Sequence, residues 1–140
     1  MKKFITFEGG EGTGKSTQSK LLSNSFQKIN EEHILTREPG GTPFAEKIRN
    51  LLVKIDSKDI SFDSEILLIY AARNNHLETK IIPALKKKVV ICDRYIFSTF
   101  CYQFEAKNFK KKIDFLHDNF AFNLMPDLTI LMDMPIHEGL

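Results

Sequence analysis

Residues Gly9-Gly10-Glu11-Gly12-Thr13-Gly14-Lys15-Ser16-Thr17 fit the pattern Gly-x-x-x-x-Gly-Lys-[Ser/Thr], and that pattern limits what the chain can fold into. A short β-prone run, Phe4 to Phe7, precedes it, and Leu22, Phe26 and Ile29 follow at helical spacing. The stretch therefore reads as a loop between a strand and a helix. Glycines let the backbone turn until several N–H groups face one anion. The helix opening near Lys15 adds the positive end of its dipole. Lys15 supplies a mobile cation for β- and γ-phosphates, and the Ser16 hydroxyl suits a Mg²⁺ shell. The alternative is a chance match in an ordinary glycine turn, which the strand–loop–helix context argues against. The expectation is a nucleoside triphosphate site. Two other uses of such a loop lose support, because Asn-Lys-x-Asp for guanine and Leu-Ser-Gly-Gly-Gln are both missing.

The rest of the chain reads as one domain spanning residues 1–140, without internal repeat or linker. With 42% hydrophobic and 27% charged residues among 140, it has the composition of a soluble globular protein with a core. The apolar run Ile66–Ala72 is too short to cross a bilayer. A net charge of +2 is too small for a general nucleic-acid binder, and the lysine runs 86–88 and 110–112 read as solvated helix ends. Neither nucleic acid nor membrane is expected as a partner. Cys92 and Cys101 cannot form a disulfide framework, and His33, His76, His117 and His137 lack metal-ligand spacing, so a reducing cytoplasm is expected.

Ile34-Leu35, Val89–Cys92 and Leu128–Met132 read as further strands. Phe44/Ile48/Leu51/Ile55, Ile66/Ile69/Tyr70/Leu77 and Phe109/Ile113/Leu116/Phe120 read as apolar stripes of helices, the second capped by Ser61 or Asp63. Asp56 to Ser61 reads as a polar loop. Strands alternating with helices predict an α/β fold with a parallel sheet covered on both faces.

Arg37 and Arg94 directly follow strands, whose ends should open onto the same edge as the glycine loop. Arg73 lies on an otherwise apolar helix face. Singly, each could be a packed stem with a solvated or paired head. Together they suit transfer of a phosphoryl group to an already phosphorylated acceptor, where two polyanions repel each other unless fixed guanidiniums intervene. Such an acceptor needs no strong general base, because its second pKa is about 6. Asp93, ending a strand, is placed for the Mg²⁺ shell or for capping the next helix. Glu11 is either solvated or within reach of an acceptor hydroxyl.

In order along the chain, five segments resemble the thymidylate kinase family. They are Phe7 to Thr17, Thr36-Arg37-Glu38-Pro39-Gly40-Gly41-Thr42, Tyr70-Ala71-Ala72-Arg73, Asp93 to Thr99 with Tyr102-Gln103, and Pro126-Asp127-Leu128-Thr129. The resemblance covers essentially the whole chain. It implies a three-layer P-loop NTPase fold, a parallel sheet flanked by helices, and phosphorylation of dTMP to dTDP by Mg-ATP for dTTP biosynthesis. It also implies a homodimer.

By that resemblance Gly10, Glu11, Gly12, Thr13, Gly14, Lys15, Ser16 and Thr17 hold ATP, and Lys15, Arg37 and Arg94 act in catalysis. Glu11 meets the acceptor's 3′-hydroxyl, Arg37 and Arg94 its phosphate, and Arg73 the thymine edge. Ile69, Ser98, Tyr102 and Gln103 line the base and sugar side, while Ser16 and Asp93 serve Mg²⁺ directly or through water. Two departures stand out. Ile69 occupies a place usually held by an aromatic residue. Gly12 stands where one branch of the family carries a catalytic arginine, and the chain stops at Leu140, before the family's lid and last strand. The alternatives are a catalytically weak, truncated nucleotide-binding chain or a related deoxynucleotide or deoxynucleoside kinase.

Overall fold

A computed structural model describes residues 1–103 and 107–139. Strands β1 (Phe4–Gly9), β2 (His33–Arg37), β3 (Val89–Asp93) and β4 (Leu128–Met132) form one parallel sheet in the order β2-β3-β1-β4. Helix α1 (Lys15–Lys28) follows β1 across the glycine loop. Between β2 and β3 lie α2 (Pro43–Lys54), α3 (Phe62–His76) and the short α4 (Ile82–Leu85). Between β3 and β4 lie α5 (Ile96–Tyr102) and α6 (Phe109–Phe120), and α7 (Ile136–Gly139) comes last.

Alternation along β1 and β3 builds the layers. Phe4, Val90 and Cys92 face one way, onto Ile66, Tyr70, Leu77, Tyr95 and Ile113 of the later helices and loops. Ile5, Phe7, Val89 and Ile91 face the other way, onto Leu22 and Phe26 of α1. Both faces of the central strands are thus covered, as their uninterrupted apolar sequence requires.

Pairing sets the edge where ligands gather. Asp93 is level with Phe7 of β1 and with Arg37 of β2, so the glycine loop, Arg37-Glu38 and Asp93-Arg94 all leave the sheet at its carboxyl end.

The apolar face of α2 is narrower than its sequence predicts. Ala45, Ile48 and Leu52 pack against Ala72 and Leu68 of α3, whereas Phe44 and Leu51 are half exposed and Ile55 falls beyond the helix. The small side chains of Ala45 and Ala72 let the two helices meet closely, which rotates the buried stripe by one residue. Ile29 and Phe120, expected to be covered, are exposed for the same kind of reason: each lies at a helix end beyond the packed surface. Ser61 accepts the Ser64 N–H and caps α3. A π-helical turn, Leu77–Ile81, joins α3 to α4. Pro83 lacks an N–H and crowds the carbonyl four residues back, which widening of the preceding turn relieves.

Candidate active site

The glycine loop closes on itself. Gly9 adopts φ 145°, and a Cβ there would overlap the Met132 carbonyl oxygen of β4, so the strand can turn into the loop only through glycine. Thr13 Oγ1 donates to the Gly10 carbonyl at 2.9 Å. Lys15 Nζ donates to the same carbonyl and to Thr13 Oγ1 at 3.3 Å. Burial, then the nearby charge of Arg94, lowers the Lys15 pKa from its ordinary value. Ser16 Oγ donates to Asp93 Oδ2 at 2.5 Å.

Arg94 is the hinge of the site. Its backbone lies in the left-handed region at φ 69°, with its N–H on the Phe7 carbonyl at 2.9 Å. Its guanidinium reaches the Gly9 carbonyl at 3.2 Å, Ser98 Oγ at 3.4 Å and Glu11 Oε1 at 2.9 Å. Glu8 secures the turn from below, accepting the Tyr95 N–H at 2.8 Å and the Ser98 hydroxyl. Tyr102 donates its hydroxyl to Glu11 Oε1 at 3.3 Å, and its ring lies 5.2 Å from the Arg94 guanidinium.

Arg73 is fully buried. Its Nε donates to Glu38 Oε2 at 2.7 Å and its Nη2 to Thr99 Oγ1 at 2.9 Å. The guanidinium carbon sits 4.8 and 4.9 Å from the ring centres of Tyr70 and Tyr95. Burial alone would lower its pKa, but Glu38 and the two phenols outweigh that and raise it. Among the described residues Nη1 has no hydrogen-bond partner, and neither does the buried Oε1 of Gln103.

Two cavities meet along Glu11, Glu38, Arg49 and Arg94. One, of about 430 Å³, follows the glycine loop past Gly12, Gly14, Lys15, Ser16 and Thr17 to Arg37 and Asp93. The other, of about 230 Å³, is lined by Arg73, Ile69, Ser98, Tyr102 and Gln103. Arg94 borders both. Arg37 borders the first but not the second, and with Glu46, which grips it at 3.2 and 2.9 Å, it also lines a third cavity of about 590 Å³ beside Ser16 and Asp93. The Glu46 hydrogen bond is the main cause of the raised Arg37 pKa. The three arginines thus share the sheet edge but do not converge on one point.

A family model described as thymidylate kinase matches residues 7–140. The chain belongs to the thymidylate kinase family. The thymidylate kinase of Rickettsia africae (strain ESF-5) is 51% identical over 134 residues, 94% of this chain and 64% of that protein. That of Acinetobacter baumannii (strain AYE) is 42% identical over 140 residues, covering 98% of this chain and 70% of that protein. The crystal structure of thymidylate kinase from Ehrlichia chaffeensis matches with a TM-score of 0.87 at 42% identity, covering 99% of this chain and 79% of that one. The sheet flanked by helices is accordingly the P-loop NTPase fold, and the chain is by family a nucleotide kinase.

Against the thymidylate kinase expectation, the cavities gather nearly all the residues read from sequence. Gly10 and Thr13 are the exceptions, since they brace the loop from within. Two residues that border both cavities, Arg49 and Glu38, carry no role in that reading. Arg49 was hidden because α2 was read as apolar along Phe44, Ile48 and Leu51; it donates to the Pro39 carbonyl at 3.0 Å and borders both cavities. Its spacing from Glu46 on the same helix was the available signal. Glu38 stood in a matching segment, but its pairing with Arg73 spans 35 residues and leaves no local trace.

Proposed function

We propose that this chain transfers the γ-phosphoryl group of ATP to the phosphate of dTMP, giving ADP and dTDP. The carrying observation is that two residues lining the smaller cavity, Arg73 and Gln103, each hold a buried polar atom, Nη1 and Oε1, with no partner among the described residues. A buried polar atom without a partner costs about 1–3 kcal/mol, which a ligand of matching pattern would recover. Thymine offers a carbonyl O4 to a donor and an N3–H to an acceptor. Cytosine reverses both. Ile69 lines the same cavity and can cover a base face.

The triphosphate belongs in the glycine-loop cavity, with Lys15 released from the Gly10 carbonyl to the β- and γ-phosphates. The acceptor phosphate belongs beside Arg94, where the two cavities join, with Arg49 adjacent and Glu11 toward the 3′-hydroxyl. Its attacking oxygen is largely deprotonated at neutral pH. The new P–O bond forms as the γ-phosphorus parts from its bridging oxygen, and that electron pair leaves with ADP. The residues align the two ends and balance charge.

Ser16 Oγ and Asp93 Oδ2 form a pair of hard oxygen donors, and among the described residues no three His, Cys, Asp or Glu cluster as a metal cage. This fits Mg²⁺, which keeps its waters and takes phosphate oxygens. When bound, Mg²⁺ neutralises charge on the β- and γ-phosphates. The homodimer implied by the family would use the exposed Leu67 of α3 and Phe115 and Phe120 of α6 as its contact face. Gel filtration at several concentrations tests that assembly.

ADP release measured across dTMP, dUMP, dCMP, dGMP and thymidine tests the reaction, with Arg73→Ala as control. The expected result is strongest turnover with dTMP, and a selective loss of thymine preference in the control. Equal losses for every acceptor would remove Arg73 as the base reader.

A further inference from the structure

Behind Arg73 runs a line of buried polar groups that leads from Glu38, which borders both cavities, back to His76, which lines neither. Glu38 Oε2 accepts the Arg73 Nε–H at 2.7 Å, while Glu38 Oε1 lies 3.4 Å from His76 Nδ1. On its far side, His76 Nε2 lies 2.6 Å from Thr36 Oγ1. Arg73, Glu38, His76 and Thr36 are exposed by 2%, 3%, 0% and 6%, so the whole line is inside the protein. Gly41 leaves room for it: a Cβ there would overlap His76 Nε2.

Stability does not account for such an arrangement. Drawing two ions out of water costs several kcal/mol each, and apolar replacements of buried ion pairs are often neutral or stabilising. What the line does supply is orientation. Burial pushes the Glu38 carboxyl up, but the Arg73 charge and His76 more than offset it, holding the carboxyl below its ordinary value. An ionised carboxylate only accepts, so His76 Nδ1 is the donor on that side. The Thr36 hydroxyl can donate or accept, and it pins the ring from behind. At 3.4 Å the His76–Glu38 hydrogen bond is long, yet its direction holds the carboxylate against rotation. With Nε on Glu38 and Nη2 on Thr99, the direction of Nη1 depends on where that carboxylate stands.

We propose that His76 is a positioning residue for base selection: braced by Thr36, it holds Glu38 so that Arg73 keeps one N–H aimed at a pyrimidine carbonyl. The inference rests on the reading of dTMP as acceptor.

Equilibrium titration of the 140-residue protein with dTMP and with dCMP tests it. His76→Leu is expected to weaken dTMP binding roughly tenfold while leaving dCMP binding nearly unchanged. His76→Asn, whose amide N–H stands near the position of Nδ1–H, should recover most of the loss. Thr36→Val keeps the ring but frees it, so a smaller loss in the same direction is expected, which preserves the test should His76→Leu not fold. In an Arg73→Ala background the His76→Leu effect should vanish. Equal weakening of both nucleotides, or an effect that persists without Arg73, would make His76 merely structural and overturn the proposal. If Arg73→Ala itself left the dTMP to dCMP ratio unaltered, Arg73 would not read the base and the brace would lose its object; if the unsubstituted protein did not prefer dTMP over dCMP, the acceptor reading would fail instead.

Discussion

Lys15 sits in a tension that the free protein does not resolve. Its ammonium is buried beside Arg94, and both burial and that like charge disfavour its protonated form. Asp93, Glu11 and Glu8 offset this only in part, and a bound triphosphate would supply further countercharge. Lys15→Met should therefore leave the thermal midpoint of the free protein unchanged or slightly higher. The same variant should weaken ATP binding by about 2 kcal/mol, the scale of hydrogen bonds to charged groups. Calorimetric titration with ATP checks this, and undiminished affinity would detach the glycine loop from triphosphate binding. Arg94 carries a different strain. A side chain at φ 69° costs about 1–2 kcal/mol relative to glycine. Arg94→Gly should consequently be more stable than Arg94→Ala by about 1 kcal/mol, measured by urea denaturation, while both lose affinity for dTMP. The identities of Lys15 and Arg94 could be read from their places after strands. Their partners could not, because Arg94 meets Glu11 across 83 residues.

Helix α2 shows how an element carries the site. Thr42 Oγ1 accepts the Ala45 N–H at 3.1 Å and donates to Asn75 Oδ1 at 2.6 Å, with Pro43 preset at the first turn. The helix holds Glu46, which grips Arg37, and Arg49, which borders both cavities. Thr42→Ala should cost about 1–2 kcal/mol of stability through the lost cap, and should also weaken dTMP binding. Ser61→Ala removes a cap on α3 far from Arg73's end and should cost about 1 kcal/mol with dTMP binding unchanged. Thermal denaturation and nucleotide titration on both variants separate the two effects. The Ser61 cap is legible from residue type and spacing, with Asp63 as the alternative. Helix α5 is not. Its sequence, Ile-Phe-Ser-Thr-Phe-Cys-Tyr, favours strand by composition, and its start is held by a carboxylate from β1, Glu8 on the Tyr95 N–H.

At the scale of the molecule, acid should loosen the fold in two stages. His117 donates from Nε2 to the Leu124 carbonyl and meets the Tyr70 hydroxyl; burial lowers its pKa below the ordinary 6.5. Glu38 and Glu46 are likewise held below 4.5, the second mainly by the Arg37 hydrogen bond. In each case the unfolded chain binds protons more readily, so stability is full above the ordinary value and is lost as pH falls through the depressed one. The thermal midpoint should begin to drop below pH 6.5 and drop again below 4.5. His117→Gln, which keeps a donor for Leu124, should flatten the first stage. A midpoint flat from pH 8 to about 5 would contradict the first stage, and one flat from about pH 5 to 2 the second. The sequence alone determined the parallel α/β architecture, the glycine loop and the strand-end cations, since these follow from contacts within a few residues and from a two- or four-residue period. Only the tertiary structure decided which cation faces which cavity, that Arg49 belongs there, and that His76 stands behind Arg73. The Arg73–Glu38 and Arg94–Glu11 pairs join residues 35 and 83 apart, and burial, which makes each charge choose a partner, exists only once the segments have packed.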